Sequence, residues 1–252
     1  MSFDYTSIKY DLDVTHKSFF NSIADVGEKL INVDNVIEKI KDYVESFSIS
    51  DMNNTNKYRK NLHFTLSGNS NRENIIERFI IANTYYKEKN NEMYYNQYSV
   101  ADGGHIDLIK TNTENKIIEI IELKEEQNQK NSPLYALIEV IKNYFLLKKE
   151  LDYNIEEITI LAPKEYFDTY FEKNYVQDKN KLKKNFFKII KNFENFLNVK
   201  INLKVLNFSA NNIINFINSK NFENIELNRE QVKILAQKFF DKRGGLKIET
   251  YN

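Results

Sequence analysis

Two carboxylates and an ammonium group stand close together in the middle of the chain, at Asp107, Glu122 and Lys124. Glu122 and Lys124 are two residues apart at the end of an apolar segment, and side chains with that spacing on a strand share a face. Two adjacent carboxylates repel each other unless a cation lies between them. Mg²⁺ prefers one or two carboxylates together with water and phosphate oxygens. With Lys124 to polarise a water or neutralise charge on phosphorus, this set suits hydrolysis of a phosphodiester bond.

Asp107 joins the other two residues only if the intervening hairpin has a particular register. Strands are predicted over residues 105–110 and 116–124, and a four-residue turn over 113–116 is a common length for such a hairpin. That turn predicts five opposed pairs: Asn112–Ile117, Lys110–Glu119, Ile109–Ile120, Leu108–Ile121 and Asp107–Glu122. Opposed side chains share a face, with Cβ atoms about 5 Å apart. A five-residue turn would place Asp107 and Glu122 on opposite faces.

The apolar periodicity predicts a mixed α/β core around these residues. Helices are predicted over residues 18–47, 71–86, 133–151, 182–197, 210–217 and 229–240, with a short one after Pro163. Further strands are predicted over residues 93–100, 157–162 and 201–208. Gly103-Gly104 holds a third of the six glycines and predicts a tight turn before Asp107. A polar stretch at residues 48–59 divides an N-terminal helical region, 1–58, from a main domain, 59–252, that ends in a helical extension.

The segments GHIDLI at residues 104–109 and IIELK at 120–124 resemble the motif of the PD-(D/E)XK nuclease superfamily, which has a restriction-endonuclease-like fold. The helix at residues 133–151 and the strand at 158–162 follow in the order typical of that superfamily. The similarity covers about residues 68–162. Ile106 replaces the proline that names the motif, at a position that varies among members. Some members carry a Gln and a Tyr on the next helix, but Glu139 and Tyr144 have a different spacing and those roles are not transferred.

The resemblance implies a Mg²⁺-dependent endonuclease that cleaves DNA, with Mn²⁺ as a substitute metal, in bacterial restriction or phage defence. It implies that Asp107, Glu122 and the Leu123 carbonyl hold the metal while Lys124 acts on the attacking water. The preceding helix often supplies another acid in this superfamily, for which Glu73 is the first choice and Glu77 the second. A homodimer is left open. The alternative is a non-catalytic module on the same fold that binds nucleic acid or protein.

The composition restricts how such a protein could bind nucleic acid. Lys plus Arg and Asp plus Glu both total 36, so binding by bulk charge is excluded and a local basic surface is needed. Residues 179–204 contain eight lysines and one acid, Glu194. That segment is either a surface that follows a phosphate backbone or the solvated face of an amphipathic helix. A second, weaker candidate for backbone contact is residues 242–245.

Other chemistries find little support in the sequence. Cysteine is absent, which excludes disulfides, thiolate zinc sites and a cysteine nucleophile. No phosphate-binding glycine loop is present. His105 shares the predicted face of Asp107, but a structural or surface role is favoured over general base catalysis. The N-terminus has no apolar signal segment and no stretch could span a bilayer, so a cytoplasmic protein without membrane attachment is expected.

Overall fold

Helices and strands alternate along the chain in the computed structural model, which describes residues 33–47, 64–65, 71–84, 93–126, 132–151, 153–172, 179–220 and 226–251. Within these residues the helices are α1 (Val33–Glu45), α2 (Arg72–Thr84), α3 (Pro133–Glu150), α4 (Lys164–Phe171), α5 (Lys179–Leu197), α6 (Ala210–Asn218) and α7 (Arg229–Lys242). The strands are β1 (Phe64–Thr65), β2 (Met93–Ser99), β3 (His105–Thr111), β4 (Ile117–Leu123), β5 (Glu157–Pro163), β6 (Lys200–Leu206), β7 (Glu226–Leu227) and β8 (Ile248–Thr250).

Six of these strands form one mixed sheet in the order β2-β3-β4-β5-β6-β8. Strands β2, β3 and β4 are antiparallel neighbours, β4, β5 and β6 run parallel, and β8 closes the sheet antiparallel to β6. The predicted α/β core with a mixed sheet is therefore confirmed. Strands β1 and β7 form a separate two-stranded sheet.

Helices cover both faces of the large sheet. One apolar cluster joins Ile120 and Ile158 to side chains of α1, α3, α4 and α5. The other joins Ile121 and Leu161 to side chains of α2, α6 and α7. Because both faces are covered, the parallel strands are apolar on both sides, which is why β4 and β5 read as nearly continuous apolar runs.

The start of α3, which follows the candidate motif, is fixed by local sequence. The hydroxyl of Ser132 accepts a hydrogen bond from the backbone N–H of Tyr135, and Pro133 occupies the first helical turn. Both features are typical of helix N-termini, so the prediction of a helix from residue 133 is confirmed. Lys148 and Lys149 lie in the last turn, where the helix dipole favours cations.

The Gly103-Gly104 turn, predicted from the sequence, connects β2 to β3. Gly103 has a φ of 80°, and a Cβ on Gly104 would lie 2.9 Å from a carboxylate oxygen of Asp102. Asp102 also accepts hydrogen bonds from Lys142 of α3 at 2.7 Å and from Tyr43 of α1 at 3.1 Å. Burial by itself would raise the pKa of Asp102, but Lys142 and these hydrogen bonds lower it below its ordinary value. The turn that leads into β3 is thus anchored to two helices.

Three short strands were not predicted, namely β1, β7 and β8. They contain two or three residues each, too few to show the alternation that marks a strand.

Parts of the predicted helix at residues 18–47 and the predicted loop at 48–59 lie outside the described residues. The predicted domain boundary between residues 58 and 59 lies there too. Helix α1 packs its apolar side chains Val36, Ile37 and Ile40 into the same cluster as α3. No helix in the described residues has the length and apolar character needed to cross a membrane.

Candidate active site

The hairpin of β3 and β4 has the register that brings Asp107 to Glu122. The predicted pairs Leu108–Ile121, Ile109–Ile120 and Lys110–Glu119 are confirmed. Of the five predicted pairs, Asn112 with Ile117 is wrong, because Thr111 lies opposite Ile117 after an irregularity in the ladder. The side chain of Asn112 accepts hydrogen bonds from the N–H groups of residues 114 and 116, both at 3.0 Å, so this residue belongs to the turn.

Asp107 lies one residue beyond Leu108, whose pairing with Ile121 ends the β3–β4 ladder on this side. Its Oδ2 accepts a hydrogen bond from the backbone N–H of Leu123 at 2.8 Å. On the other side of β4, the N–H of Lys124 donates to the Leu161 carbonyl of β5 at 3.0 Å. Since the N–H and C=O of one residue in a strand point toward the same neighbour, the Leu123 carbonyl is directed toward β3 and Asp107. The structure therefore brings together all three predicted ligand groups.

Lys124 is held by two carboxylates. Its Nζ donates to Glu122 on the same strand and lies 3.4 Å from Oε2 of Glu139 on α3. Lys124 and Glu122 are each only 3% exposed. Burial by itself lowers the pKa of Lys124, but the charges of Glu122, Glu139, Asp107 and Glu73 outweigh it and hold the pKa well above its ordinary value. Lys124 is therefore a cation at neutral pH.

Burial and neighbouring negative charge raise the pKa values of Asp107 and Glu122. Burial raises the pKa of Asp107 to about 7, helped by the charges of Glu73 and Glu139 and opposed by Lys124 and the Leu123 hydrogen bond. Burial and the charges of Asp107 and Glu139 raise the pKa of Glu122 well above its ordinary value. An added cation would relieve this repulsion.

Both acids of α2 that the sequence suggested lie within electrostatic range of Asp107. Glu73, in the first turn of the helix, raises the pKa of Asp107 through its charge. Glu77 is buried and accepts a hydrogen bond from the Asn96 amide of β2. Burial, followed by the charge of Asp107, raises the pKa of Glu77 to about 8. Glu77 is thus mostly protonated at neutral pH.

Two groups at this site were missed by reasoning from the sequence. Glu139 contacts Lys124 from α3, and Tyr166 of α4 is fully buried within electrostatic range of Lys124 and Glu122. Burial raises the pKa of Tyr166 well above its ordinary value. The signal for Tyr166 was its place directly after β5, since the ends of parallel strands meet at one sheet edge. Nothing in the spacing of Glu139 would have identified it.

Two other charged candidates lie away from the site. His105 is exposed, and its Nδ1 lies 3.2 Å from Oγ of Ser99 on the neighbouring strand. Glu119, expected to pair with Lys110, makes an ion pair with Lys204 of β6 at 2.7 Å. Alternation along β4 explains the separation, because residues 119 and 122 lie on opposite faces.

The donor groups at the site fit a hard divalent cation. Asp107, Glu122 and the Leu123 carbonyl supply oxygen ligands only, which is the set that Mg²⁺ prefers, with water in the remaining positions. Burial is the main reason for the raised pKa of both carboxyls and the charges of neighbouring acids add to it, so a bound cation would favour their ionised forms. No group of three or more His, Asp or Glu side chains in the described part of the chain forms a ready-made metal site. Two carboxylates and a carbonyl are therefore the ligands to test.

A second set of ion pairs holds α2 against the residues that follow β4 in the chain. Arg72, directly before Glu73, lies 3.0 Å from Glu125 and also contacts Glu126. Glu126 in turn accepts hydrogen bonds from the first two N–H groups of α6, at 3.0 and 2.8 Å. These contacts link the two residues that follow Lys124 to the residue that precedes Glu73. They therefore fix Lys124 and Glu73 relative to each other.

Arg72→Ala is expected to lower the free energy of unfolding by roughly 2–3 kcal/mol, because it leaves two largely buried carboxylates without their cation. Urea denaturation measures the change. Lys233→Ala is the matched control, since its partner Glu230 is 70% exposed, and it should cost less than about 1 kcal/mol. Equal losses for the two variants would contradict the assignment.

The candidate site occupies the edge of the sheet where β4 and β5 end. Its position follows from the ladder between β3 and β4, and its charge from the residues of α2 and α3 that reach it. Comparison of the chain with protein-family models, with curated proteins and with solved structures found no match to any of them.

Proposed function

We propose that this protein is a metal-dependent nuclease of the PD-(D/E)XK type that hydrolyses phosphodiester bonds of DNA. The observation that carries the proposal is the meeting of Asp107, Glu122 and Lys124 at one end of the β3–β4 hairpin. The element order α2-β2-β3-β4-α3-β5, with β5 parallel to β4, supports it.

Each residue has a role that follows from its contacts. Asp107, Glu122 and the Leu123 carbonyl would hold the metal, and Glu73 adds negative charge near it. When bound, Mg²⁺ would polarise a phosphoryl oxygen and lower the pKa of a water molecule. The hydrogen bond from the Leu123 N–H to Asp107 fixes one carboxylate oxygen, and the other oxygen would bind the metal.

Lys124 acts as a fixed positive charge and hydrogen-bond donor. Its raised pKa keeps it protonated, so it does not serve as a general base. Glu139 retains a contact with Lys124 if Glu122 turns toward a metal. Lys124 is then placed to orient the attacking water and to stabilise negative charge on the phosphoryl group.

Cleavage of plasmid DNA in the presence of Mg²⁺ tests the proposal. Wild-type protein is expected to cleave, and Lys124→Ala should reduce the rate by about 10²–10³-fold, as the loss of one transition-state donor does elsewhere. Lys204→Ala is the matched control, because Lys204 also lies on a strand between two glutamates but far from Asp107. It should keep wild-type cleavage.

Equal cleavage by wild type and Lys124→Ala would refute the role of this lysine. Mg²⁺ binding that depends on Asp107, without cleavage of any nucleic acid, would favour the alternative of a non-catalytic binding module. Metal binding is measured independently by calorimetry.

A further inference from the structure

We infer that the exposed face of α5 binds the sugar–phosphate backbone of the nucleic acid that the candidate active site cleaves; this rests on the proposed function. The face consists of Lys181, Lys184, Lys188 and Lys191, all exposed, and is called the lysine stripe below. At about 100° per residue these four positions lie within an arc of about 80° and span about 15 Å along the helix. The buried face of the same helix carries Phe186, Ile189 and Phe193.

The charge of α5 differs from that of the other surface helices. Its first fifteen residues, 179–193, contain six lysines and no acid. Helices α1 and α7 instead mix both signs along their length. A general excess of lysine codons would add lysine to every helix, so it does not account for the absence of acids from this one.

The first turn of α5 carries positive side chains and no acid. The N-terminus of a helix carries a partial positive charge and favours acids, yet the first turn of α5 has none and includes Lys181. Positive side chains at this position are unfavourable for folding and favourable for binding an anion. The first turn of α5 therefore adds positive charge to the surface that the stripe presents.

The topology brings the stripe to the edge of the sheet that carries the candidate site. The last residue of α5 is followed closely by β6, so the helix begins near the end at which β4, β5 and β6 finish. Contacts confirm this, since Lys183 lies over the Tyr251 ring at 4.7 Å, and Tyr251 stacks on Phe167 of α4 at 4.7 Å. In the sheet, β4 and β6 are two strand spacings apart, about 10 Å. One backbone could therefore reach both surfaces.

Not all lysines of residues 179–204 belong to this surface. Lys200 lies 3.3 Å from Glu157, and Lys204 contacts both Glu119 and Glu157. These two lysines are neutralised by acids of β4 and β5. Lys191 lies 3.1 Å from Glu194, so its charge is partly neutralised.

The salt dependence of binding tests the stripe without any need for cleavage. The full chain is titrated in EDTA with labelled duplex DNA, single-stranded DNA and duplex RNA of equal length over a series of salt concentrations. Each lysine that contacts a phosphate contributes about 0.9 to the slope of log K against log salt for duplex DNA, and about 0.7 for single strands. The variants K181Q/K184Q and K184Q/K188Q should each reduce the duplex slope by about 1.8. The nucleic acid that the wild type binds most tightly at the same salt concentration is the preferred one.

K220Q/K238Q is the matched control, because both lysines are exposed on the opposite side of the sheet, beside α6 and on α7. It should leave the slope unchanged. K181Q/K184Q should keep a cooperative melting transition above the temperature of the binding assay, which separates lost contacts from lost folding.

Unchanged slopes in both stripe variants, or an equal reduction in the control, would overturn the inference even if the protein cleaves DNA. Failure of the wild type to bind any of the three nucleic acids would also overturn it. A slope that depends on the stripe in a protein that never cleaves would leave the inference standing and refute the proposed function.

Discussion

Asp107→Asn is expected to make the protein more stable above pH 7 while it removes the response to Mg²⁺ and reduces DNA cleavage at least about a thousandfold. Asparagine retains an oxygen that accepts the Leu123 N–H, so the local structure is preserved. What disappears is a negative charge among Glu122, Glu139 and Glu73, which repel it.

The pH dependence has a definite sign. Asp107 has a pKa of about 7 in the folded protein, against an ordinary value of 3.8. Between these values the folded state binds a proton that the unfolded state has lost, so stability falls as the pH rises through this window. The variant lacks this loss, which amounts to about 4 kcal/mol at most above pH 7. Below pH 4 the two proteins should differ little.

Thermal melting from pH 4 to pH 9, with and without Mg²⁺, measures both parts of this prediction. Mg²⁺ should raise the melting temperature of the wild type, because a ligand that binds only the folded state stabilises it. Asp241→Asn, an exposed position on α7, is the control and should behave as wild type. A variant that is still stabilised by Mg²⁺ to the wild-type extent would show that Asp107 is not a ligand.

Glu77→Gln is expected to raise the stability above pH 8 by on the order of 4 kcal/mol. Burial is the main reason for the pKa of about 8, and Asp107 and Glu73 raise it further; the Asn96 hydrogen bond and Arg78 oppose them. Stability should therefore decline between pH 4.5 and pH 8 in the wild type, because in this window the carboxyl is ionised in the unfolded chain and still protonated in the folded protein. Glutamine keeps an acceptor for the Asn96 amide and cannot ionise.

Urea denaturation in EDTA at pH 5, 7 and 9 measures this difference. Glu114→Gln, an exposed position in the β3–β4 turn, should show none of it. If the difference in unfolding free energy between Glu77→Gln and the wild type were the same at pH 9 as at pH 5, burial would not raise the pKa of Glu77. Cleavage assays on Glu73→Gln beside Glu77→Gln then decide which acid assists the metal, with the larger loss expected for Glu73→Gln.

The sequence by itself determined the part of the site that depends on strand periodicity and local caps. Alternation put Glu122 and Lys124 on one face, and apolar pairing aligned Leu108 with Ile121, which brings Asp107 to Glu122. The same reasoning misplaced Asn112, because its side chain binds backbone N–H groups within the turn. Such hydrogen bonds compete with the backbone hydrogen bonds between strands. The spacing of apolar residues in the sequence does not reveal them.

Only the tertiary structure decided which distant groups reach the site and which lysines remain exposed. Glu139 contacts Lys124 because α3 packs across β4, and Glu77 is buried because α2 packs on β2. Lys204 and Lys184 look alike in the sequence, yet one lies between Glu119 and Glu157 while the other is exposed on α5. The physical reason is that strand pairing repeats every two residues and can be read locally, whereas a contact between a helix and a sheet depends on how whole elements pack.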